Sequence, residues 1–399
     1  MKTSPAGERP RLLVLTSTFP RWADDTEPAF VFELCRSLAE EWAVTVLAPH
    51  AAGASREEHL DGLRVLRFRY APEAWEQLAY QGGMMANLRR RPWLTCLLPF
   101  FFAVLLWRAW RELRALRPAA VHAHWIVPQG VALAAALALA GHRPRTICTS
   151  HGSDVTALRG PLWRALRRKV AARLDRVVAV SEPLRGRLVE EGCPPDRTDV
   201  IPMGADLVGR FSPSTTVRSS SEILFVGRLA REKGADILLR AMPRILAQRP
   251  EATLTLVGDG PEKVCLRETA ESLGLTGRVR FAGALPHAAL PEHLRRAAVL
   301  VLPSRREGFG LALVEALGCG CPVAASDLPA PRALLEDGLA GRLFRAEDPE
   351  ALACAVLDLL ADPAAAAALA MRGRATVVER YDWSVVARRY GQALSERAR

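Results

Sequence analysis

The feature that most constrains this chain is a pattern in which short apolar runs alternate with amphipathic helical segments. Arg11 to Thr16 is long enough for one buried strand, and Phe30, Leu34 and Leu38 then recur at the spacing of one helix face. Strands that alternate with helices predict a parallel sheet with helices on both faces. Further strands of the first half are predicted at Ala43 to Ala48, Leu63 to Phe68, Ala120 to Ala123, Arg145 to Ser150 and Arg176 to Val180.

A segment without strong periodicity, Pro194 to Ser221, interrupts this pattern, and the alternation then starts again. A chain of 399 residues is also longer than one hydrophobic core usually supports. We therefore predict two doubly wound, Rossmann-like α/β domains at residues 1–205 and 206–378. A C-terminal helix at 379–399 is expected to pack back on the first domain. The second-domain strands are predicted at Ile223 to Val226, Thr253 to Val257, Val279 to Phe281, Val299 to Leu302 and Val323 to Ala325, with helices at Asp236 to Gln248 and Lys263 to Leu273.

Composition and charge limit the possible partners. Half of the residues are hydrophobic and 24% are charged, a balance that excludes global disorder. The net charge is +11, and the basic excess concentrates in Arg89 to Arg117 and in Arg159 to Arg176. Such patches predict an anionic partner, which could be nucleic acid, phospholipid or a phosphorylated substrate; the alternative is a solvated basic surface.

The start of the chain and its cysteines favour a cytoplasmic protein. Residues 1–10 are polar and lack the apolar core of a secretory signal peptide. The eight cysteines are scattered, and no C-x-x-C pair is present for zinc binding or redox chemistry. We expect their side chains to be reduced and mostly buried.

One apolar segment, Trp93 to Trp107, has arginines on both sides. At 15 residues it is shorter than the roughly 20 needed to span a bilayer. Tryptophan at both ends and flanking arginines predict a helix that lies in the interface of an anionic membrane. The alternative is a helix docked on the sheet, with arginine stems covering its rim.

Two basic residues follow the first strand of the second domain. Arg228 and Lys233 come shortly after Gly227, where that strand ends. Open parallel sheets bind ligands at the carboxyl ends of their strands. Two cations there can hold both phosphates of a diphosphate and stabilise it as a leaving group. Taken alone, the segment is also compatible with a charged surface loop.

Two glutamates, Glu307 and Glu315, are separated by seven residues. Glu307 is predicted in a loop with Gly308 and Gly310, and Glu315 on a helix that starts near Phe309. The glycines let a ligand approach backbone N–H groups at the helix N-terminus. A carboxylate there can accept hydrogen bonds from sugar hydroxyls. The spacing taken alone is more typical of two helix-face carboxylates in water.

A third segment, Gly258-Asp259-Gly260, also follows a strand. It is compatible with a tight turn or with nucleotide contact, and it lacks the glycine spacing of dinucleotide-binding loops.

Histidines mark two strand ends of the first domain. His151 and Asp154 form a polar cluster on a loop, which is either part of a site or structural. His122 and His124 share one face of a strand and could in principle ligate a metal. Because no third ligand has suitable spacing, we predict no metal site.

Seven sequence blocks together resemble glycosyltransferase family 4 over nearly the whole chain. The resemblance implies a GT-B fold, with two Rossmann-like domains facing each other across a cleft and the donor in the second. It also implies sugar transfer with retention at the anomeric carbon, usually without a metal. The blocks are HGSD (151–154), AVSEPL (179–184), IPMGAD (201–206), FVGRLAREKG (225–234), LVGDGP (256–261), VRFAGALP (279–286) and PSRREGFGLALVEALGCGCPV (303–323).

The resemblance assigns roles on the donor side. It implies that Arg228 and Lys233 hold the donor diphosphate, that Glu307 contacts the donor sugar, and that Glu315 binds the ribose. With His151, the first three are the predicted catalytic residues. The other predicted donor-binding residues are Gly227, Gly258, Asp259, Phe309, Gly310 and Leu311.

On the acceptor side, the resemblance implies that His151 reaches the transferred sugar, with Asp154 close by. Members of the family commonly carry a Gly-Gly pair in the loop after the first strand. Here that loop has no glycine, and we expect Phe19 and Arg21 to shape the acceptor pocket instead.

The sequence thus predicts a retaining, metal-independent hexosyltransferase without a cofactor. Its donor would be a nucleotide diphosphate sugar, and its acceptor a hydroxyl of a lipid-linked or membrane-proximal glycan in polysaccharide or glycolipid synthesis. The enzyme would sit on the inner face of a membrane through the Arg89 to Arg117 region. The alternatives are an epimerase or phosphorylase of the same fold, an inactive scaffold relative, and a nucleic-acid-binding protein, the last suggested by a pI of 9.8.

Overall fold

The computed structural model describes residues 9–22, 25–80 and 82–396. Most of the polar start predicted at 1–10 and the end of the helix predicted at 379–399 lie outside these ranges. The described chain forms two compact units. The first contains the residues up to Pro202 together with those from Val386 onward, and the second runs from Met203 to Val385.

The first unit is built on one eight-stranded sheet in the order β3-β4-β2-β1-β5-β6-β7-β8. All neighbouring strands are parallel except β3 and β4. Its strands are β1 (Arg11–Leu15), β2 (Ala43–Pro49), β3 (Glu57–Leu60), β4 (Leu63–Phe68), β5 (Ala120–His124), β6 (Arg145–Ser150), β7 (Arg176–Ala179) and β8 (Thr198–Val200). Its helices are α1 (Phe30–Leu38), α2 (Met84–Arg90), α3 (Leu98–Leu116), α4 (Val131–Ala140), α5 (Ser153–Thr156), α6 (Pro161–Ala171) and α7 (Glu182–Glu190).

The second unit is built on a parallel six-stranded sheet in the order β11-β10-β9-β12-β13-β14. Counted within the unit, this is the 3-2-1-4-5-6 order of doubly wound nucleotide-binding folds. Its strands are β9 (Glu222–Val226), β10 (Thr253–Val257), β11 (Val279–Gly283), β12 (Val299–Leu302), β13 (Val323–Ser326) and β14 (Arg342–Phe344). Its helices are α8 (Ala235–Gln248), α9 (Lys263–Ser272), α10 (Leu290–Arg296), α11 (Leu311–Gly318), α12 (Pro329–Leu334), α13 (Pro349–Ala361) and α14 (Pro363–Tyr381); α15 (Trp383–Ser395) follows.

The last helix, α15, belongs mostly to the first unit. Arg145 of β6 donates to the carbonyl of Ala393 at 3.1 Å, and the hydroxyls of Tyr390 and Thr149 are 3.3 Å apart. These contacts attach α15 to β6, an interior strand of the first unit's sheet.

Three strands were not predicted from the sequence pattern: β3, β8 and β14. The first reads Glu-Glu-His-Leu and pairs only with β4 at the edge of its sheet, so its side chains need not be apolar. The other two have three residues each and lie at sheet edges, where a short strand needs little burial. β8 also falls inside the predicted linker, Pro194 to Ser221, which is therefore partly structured.

Helix α3 contains most of the apolar segment that the sequence singled out. Phe101, Leu105 and Leu113 on one face are fully buried, and the helix packs against α4, β1 and β4. The helix is therefore docked on the sheet of the first unit. Among the described residues, the continuous helical stretch Pro92–Leu116 is long and apolar enough to cross a membrane by length and composition.

Candidate functional site

In the second unit, strand order reverses between β9 and β12, and the two loops that follow these strands carry the predicted donor residues. β10 and β11 lie on one side of β9, whereas β13 and β14 lie beyond β12. Ligands of doubly wound sheets bind in the crevice at such a reversal, outside the carboxyl ends of the strands. Arg228, which is half-buried, and Lys233 follow β9, and Glu307 follows β12.

Lys233 and Glu307 meet in an ion pair with a nitrogen–oxygen distance of 2.7 Å. The Glu307 carboxylate is buried, and it also accepts from the Ser304 hydroxyl at 3.2 Å and from the Gly308 amide at 3.2 Å. Burial by itself would raise the pKa of Glu307, but the Lys233 ammonium and the hydrogen bonds from the Ser304 hydroxyl and the Phe309 amide lower it below its ordinary value. The carboxylate is therefore ionised at neutral pH, and an ammonium can donate further bonds to an anionic ligand.

Arg305 clamps the loop after β12 onto the loop after β9. Its guanidinium makes two bonds to the Asp236 carboxylate, at 2.7 and 2.8 Å, and donates to the Arg231 carbonyl at 2.9 Å. The Arg305 amide also donates to the Glu232 carbonyl at 2.8 Å. The hydrogen bonds to Asp236 raise the pKa of Arg305. Lys233 is thus held on a loop with fixed geometry, a positioning role that the sequence did not predict.

Two glycines allow the loops after β9, β10 and β12 to approach each other closely. Gly234 has a φ of +69°, and a Cβ there would lie 1.9 Å from the Pro303 carbonyl oxygen. Gly258 has a φ of +142°, and a Cβ there would lie 1.9 Å from the Gly227 carbonyl oxygen. A larger residue at Gly234 would separate the two loops that carry the ion pair, and one at Gly258 would push the loop after β10 away from Gly227.

We expect Gly234→Ala to lower the free energy of unfolding by about 3 kcal/mol, from backbone strain and overlap with the Pro303 carbonyl. Gly274→Ala is the matched control, because Gly274 has a φ of +68° and no atom within 4 Å of its Cβ position. It should cost about 1 kcal/mol. Urea unfolding of both full-length variants measures the difference. Equal losses would mean that the approach of Gly234 to Pro303 is unimportant.

The loop after β10 holds two further predicted donor-binding residues, Gly258 and Asp259. The Asp259 carboxylate accepts from the Gly260 amide at 2.7 Å and pairs with Lys263 at 3.0 Å. Its carbonyl accepts from the Leu229 amide at 3.0 Å. The loop is therefore a tight turn tied to the Arg228 loop, and the contacts of Asp259 are compatible with a structural role.

The N-terminus of α11 lies beside Glu307. Gly310 precedes the helix with a φ of +98°, and Leu311 begins it. Phe309 is buried, and its ring packs edge-on against Tyr381 at 5.4 Å. The loop after β12 therefore leads directly into a helix start, where N–H groups favour an anionic ligand.

Further along α11, Glu315 is also buried, and its carboxylate meets the His287 ring with a nitrogen–oxygen distance of 2.7 Å. His287 directly follows the block at 279–286, but nothing in the sequence relates it to a residue 28 positions away. It is a site residue that the sequence analysis missed.

In the first unit, strand order reverses between β1 and β5, and three histidines cluster beside this point. His124 at the end of β5 and His151 after β6 share a hydrogen bond of 3.0 Å between ring nitrogens, and the His122 and His124 ring centroids are 4.1 Å apart. Burial lowers the pKa of His151 to about 3 and that of His122 to about 3, and it also holds the pKa of His124 well below its ordinary value. All three rings are therefore neutral near pH 7, and Trp125 packs on His151 at 4.7 Å.

Asp154 lies behind this cluster and holds the loop together. Its carboxylate accepts from the Ile126 amide at 2.9 Å, the Ser150 hydroxyl at 2.8 Å and the Gly152 amide at 3.2 Å. Burial raises its pKa even though these hydrogen bonds oppose the rise. Its contacts are those of a residue that positions the His151 loop.

The two bulky residues after β1 are both engaged within the first unit. Phe19 is fully buried and packs edge-on against Phe32 at 5.7 Å. Arg21 makes a two-bond ion pair with Asp25 and lies 4.4 Å from the Trp22 ring. Phe19 therefore packs beneath the loop, and Arg21 is held against the loop by Asp25.

Within the described residues, no group of three or more histidine, cysteine, aspartate or glutamate side chains is arranged to hold a metal ion.

Two family models match most of the chain. Residues 29–208 match "Glycosyltransferase Family 4", and residues 213–376 match "Glycosyl transferases group 1".

Named relatives are similar to the chain over about two thirds of its length. A GDP-mannose-dependent alpha-(1-6)-phosphatidylinositol monomannoside mannosyltransferase of Mycolicibacterium smegmatis is 31% identical over 67% of this chain and 74% of its own. A phosphatidyl-myo-inositol mannosyltransferase of the same organism is 35% identical over 63% of this chain and 64% of its own.

The fold resembles that of a solved sucrose-phosphate synthase from Thermosynechococcus elongatus, with a TM-score of 0.79 and 25% identity. The similarity covers 96% of this chain and 98% of that one. The two-domain GT-B fold predicted from the sequence is thus confirmed.

Proposed function

The chain belongs to glycosyltransferase family 4, and from that premise we propose that it transfers a hexose, with retention, from a nucleotide diphosphate sugar to a hydroxyl of a lipid-linked acceptor. The observation that carries the proposal is the Lys233–Glu307 ion pair, which lies at the strand-order reversal of a nucleotide-binding sheet. The prediction of a transferase is confirmed by its family. The roles of individual residues are part of the proposal.

Positive charge on the donor side replaces the metal ion in our proposal. Arg228 and Lys233 bind the diphosphate oxygens and stabilise the charge that develops on them as the sugar departs. The N-terminus of α11 adds backbone N–H groups from Phe309, Gly310 and Leu311. These groups supply the electrostatic stabilisation, so no cofactor takes part.

The bond changes balance without a covalent enzyme intermediate. The bond between the hexose C1 and the diphosphate oxygen breaks, and a bond from C1 to the acceptor oxygen forms on the same face. The acceptor proton passes to a phosphate oxygen of the departing nucleoside diphosphate. Glu307 orients the donor sugar through its hydroxyls, a role supported by its fixed position between Lys233 and Ser304.

His151 belongs to the acceptor side in this proposal. The ring is neutral near pH 7 because burial lowers its pKa to about 3. It can therefore exchange hydrogen bonds with the transferred hexose without adding charge. His124 and Asp154 fix the ring and its loop, and Phe19 and Arg21 shape the neighbouring loop.

A lipid-linked acceptor is supported by the names of the two mannosyltransferases, which refer to phosphatidylinositol lipids. It is also supported by an exposed apolar stripe on the first unit, formed by Trp93, Phe100 and Trp107. These residues are 47%, 61% and 49% exposed, although all three are large and apolar. Phe100 and Trp107 lie two turns apart on the face of α3 opposite its buried residues.

Arginines border this stripe at both ends. Arg89, Arg90 and Arg91 are exposed before it, and Arg111 and Arg114 are exposed after it. Arg111 lies over the Trp107 ring at 5.7 Å. Apolar side chains that enter the interface and cations that meet anionic headgroups both favour one partner, an anionic lipid bilayer. We propose that this stripe places the enzyme on the inner face of the membrane, and the eight free cysteines suit that reducing compartment.

We expect Phe100→Glu/Trp107→Glu to reduce binding to vesicles of phosphatidylcholine and phosphatidylglycerol by at least tenfold, because two carboxylates must then enter the interface. Val264→Glu on α9 is the matched control, since Val264 is 67% exposed and lies in the other unit. Co-sedimentation measures the bound fraction. Equal binding by all three proteins, or salt-insensitive binding that needs no anionic lipid, would contradict this surface.

The reaction itself is tested with donors labelled in the hexose. UDP-, GDP- and ADP-hexoses are incubated with the enzyme and a lipid extract, and products are separated by organic extraction and nucleotide chromatography. The proposal predicts labelled glycolipid from one nucleotide class. Label that stays in an altered nucleotide sugar would instead establish an epimerase, and phosphate-dependent release of sugar phosphate would establish a phosphorylase.

A further inference from the structure

His287 lies on the short turn between β11 and α10, beside the carboxylate of Glu315 on α11. The His287 Nε2 and the Glu315 Oε1 are 2.7 Å apart. The Glu315 side chain is 5% exposed, and that of His287 is 25% exposed. The Glu315 carboxylate is thus nearly buried, and the histidine that it contacts is partly exposed.

Arg210 determines which ring nitrogen carries the proton. The Nη1 atom of Arg210 lies 3.2 Å from the Nδ1 atom of His287. A guanidinium can only donate hydrogen bonds, so Nδ1 must be the unprotonated acceptor. The proton is then on Nε2, which donates to Glu315. Two hydrogen bonds link Arg210 to His287 and His287 to Glu315. The donor in each is fixed, because a guanidinium only donates and a carboxylate only accepts.

Neighbouring residues restrain Arg210 and His287. The guanidinium of Arg295 donates to the carbonyls of Arg210 and Ser212 at 2.8 and 2.7 Å. The Phe211 ring packs on the His287 ring with centroids 5.0 Å apart. Both the main chain at Arg210 and the plane of the imidazole are thus restrained.

We infer that His287, oriented by Arg210, is a positioning residue that sets how well the enzyme recognises the donor ribose through Glu315. The inference rests on the proposed function and on the role that the family resemblance implies for Glu315, which is to accept hydrogen bonds from the hydroxyls of the donor ribose. A carboxylate has about four acceptor sites, so the bond from His287 leaves capacity for the ribose. The same bond stops the carboxylate from rotating, which makes its acceptor direction specific for hydroxyls at one place.

The test compares binding of a nucleoside diphosphate with that of its 2′,3′-dideoxy analogue, by calorimetry on the full-length protein. The base is the one that the wild-type enzyme prefers. The wild-type enzyme is expected to bind the ribonucleotide at least tenfold more tightly, because the analogue leaves Glu315 without its hydroxyl partners.

Two variants of similar size separate positioning from bulk. His287→Gln places an amide nitrogen near the former Nε2 and should keep the preference for ribose. His287→Asn places it near the former Nδ1, cannot reach Glu315, and should reduce the preference by about tenfold. Arg210→Met, which removes the donor that fixes the tautomer, should reduce it as well.

The inference is overturned if His287→Asn weakens both ligands equally, since that is the result of a merely structural role. It is also overturned if the Gln and Asn variants show the same preference as each other. Failure of the wild-type protein to bind any nucleoside diphosphate would instead remove the proposed function on which the inference depends.

Discussion

Lys233→Met is expected to lower kcat/KM for hexose transfer by about a thousandfold, the largest single effect that the structure predicts. The substitution keeps an apolar stem of similar length and removes the ammonium that binds the departing diphosphate. Loss of one preorganised charge-stabilising group typically costs a factor of 10² to 10³ in kcat. A change in donor orientation adds to this loss, because Lys233 also fixes Glu307 at 2.7 Å.

Lys263→Met provides the matched control. Lys263 is also a half-exposed lysine paired with a carboxylate of the second unit, Asp259, at 3.0 Å. Its pairing is a surface interaction, so the change should alter kcat/KM by less than about threefold. Steady-state kinetics of both variants with one labelled donor makes the comparison. A small effect at 233, or equal effects at both positions, would contradict the assignment of Lys233 to the diphosphate.

The second large effect is on stability and its dependence on pH. Lys233→Met leaves the Glu307 carboxylate buried without its ammonium, and we expect the free energy of unfolding to fall by about 3 kcal/mol at pH 7. In the wild-type protein the pKa of Glu307 is lowered, so its stabilising contribution is present at neutral pH and is lost only as the pH falls through that low value. In the variant, burial is no longer opposed by Lys233, and the pKa of Glu307 rises.

The difference in stability between the two proteins should therefore be largest at neutral pH and shrink as the pH falls, because protonation removes the uncompensated charge from the variant. Urea unfolding between pH 4 and pH 8 measures it. Lys233→Met/Glu307→Gln serves as the control, since its deficit should be smaller and independent of pH. A constant deficit in the single variant would mean that Glu307 is not the group left unpaired.

The sequence was sufficient for the elements that periodicity specifies. β4, β6, β10 and β12 begin and end at the residues that the sequence predicts, because each has apolar residues that are buried in its sheet. The edge strands β3, β8 and β14 were missed, since an edge strand can be short or polar. The position of the Lys233 loop was also predictable, because carboxyl ends of parallel strands share one edge of a sheet.

What the sequence could not specify was the set of contacts between distant positions. Arg305 lies inside a recognised block, yet its ion pair joins it to Asp236, 69 positions away. His287 is related to Glu315 only in space. Phe19 was expected to shape a pocket, but it is buried against Phe32, a packing choice that no local pattern reveals. Each of these three contacts depends on how a loop packs against a helix, which is a property of the fold.

The central claim, that Lys233 binds the donor diphosphate, is tested most directly by melting temperatures. The measurement compares the rise that nucleotide diphosphate sugars cause in the wild-type protein with the rise in Lys233→Met. A ligand at a hundredfold excess over its Kd stabilises a protein by about 2.7 kcal/mol, or several degrees for a domain of this size. In the wild-type protein we predict such a rise with the hexoses of one nucleotide, which is UDP, GDP or ADP. In Lys233→Met we predict at most a small fraction of that rise. No rise with any of the three, or the same rise in both proteins, would contradict the account.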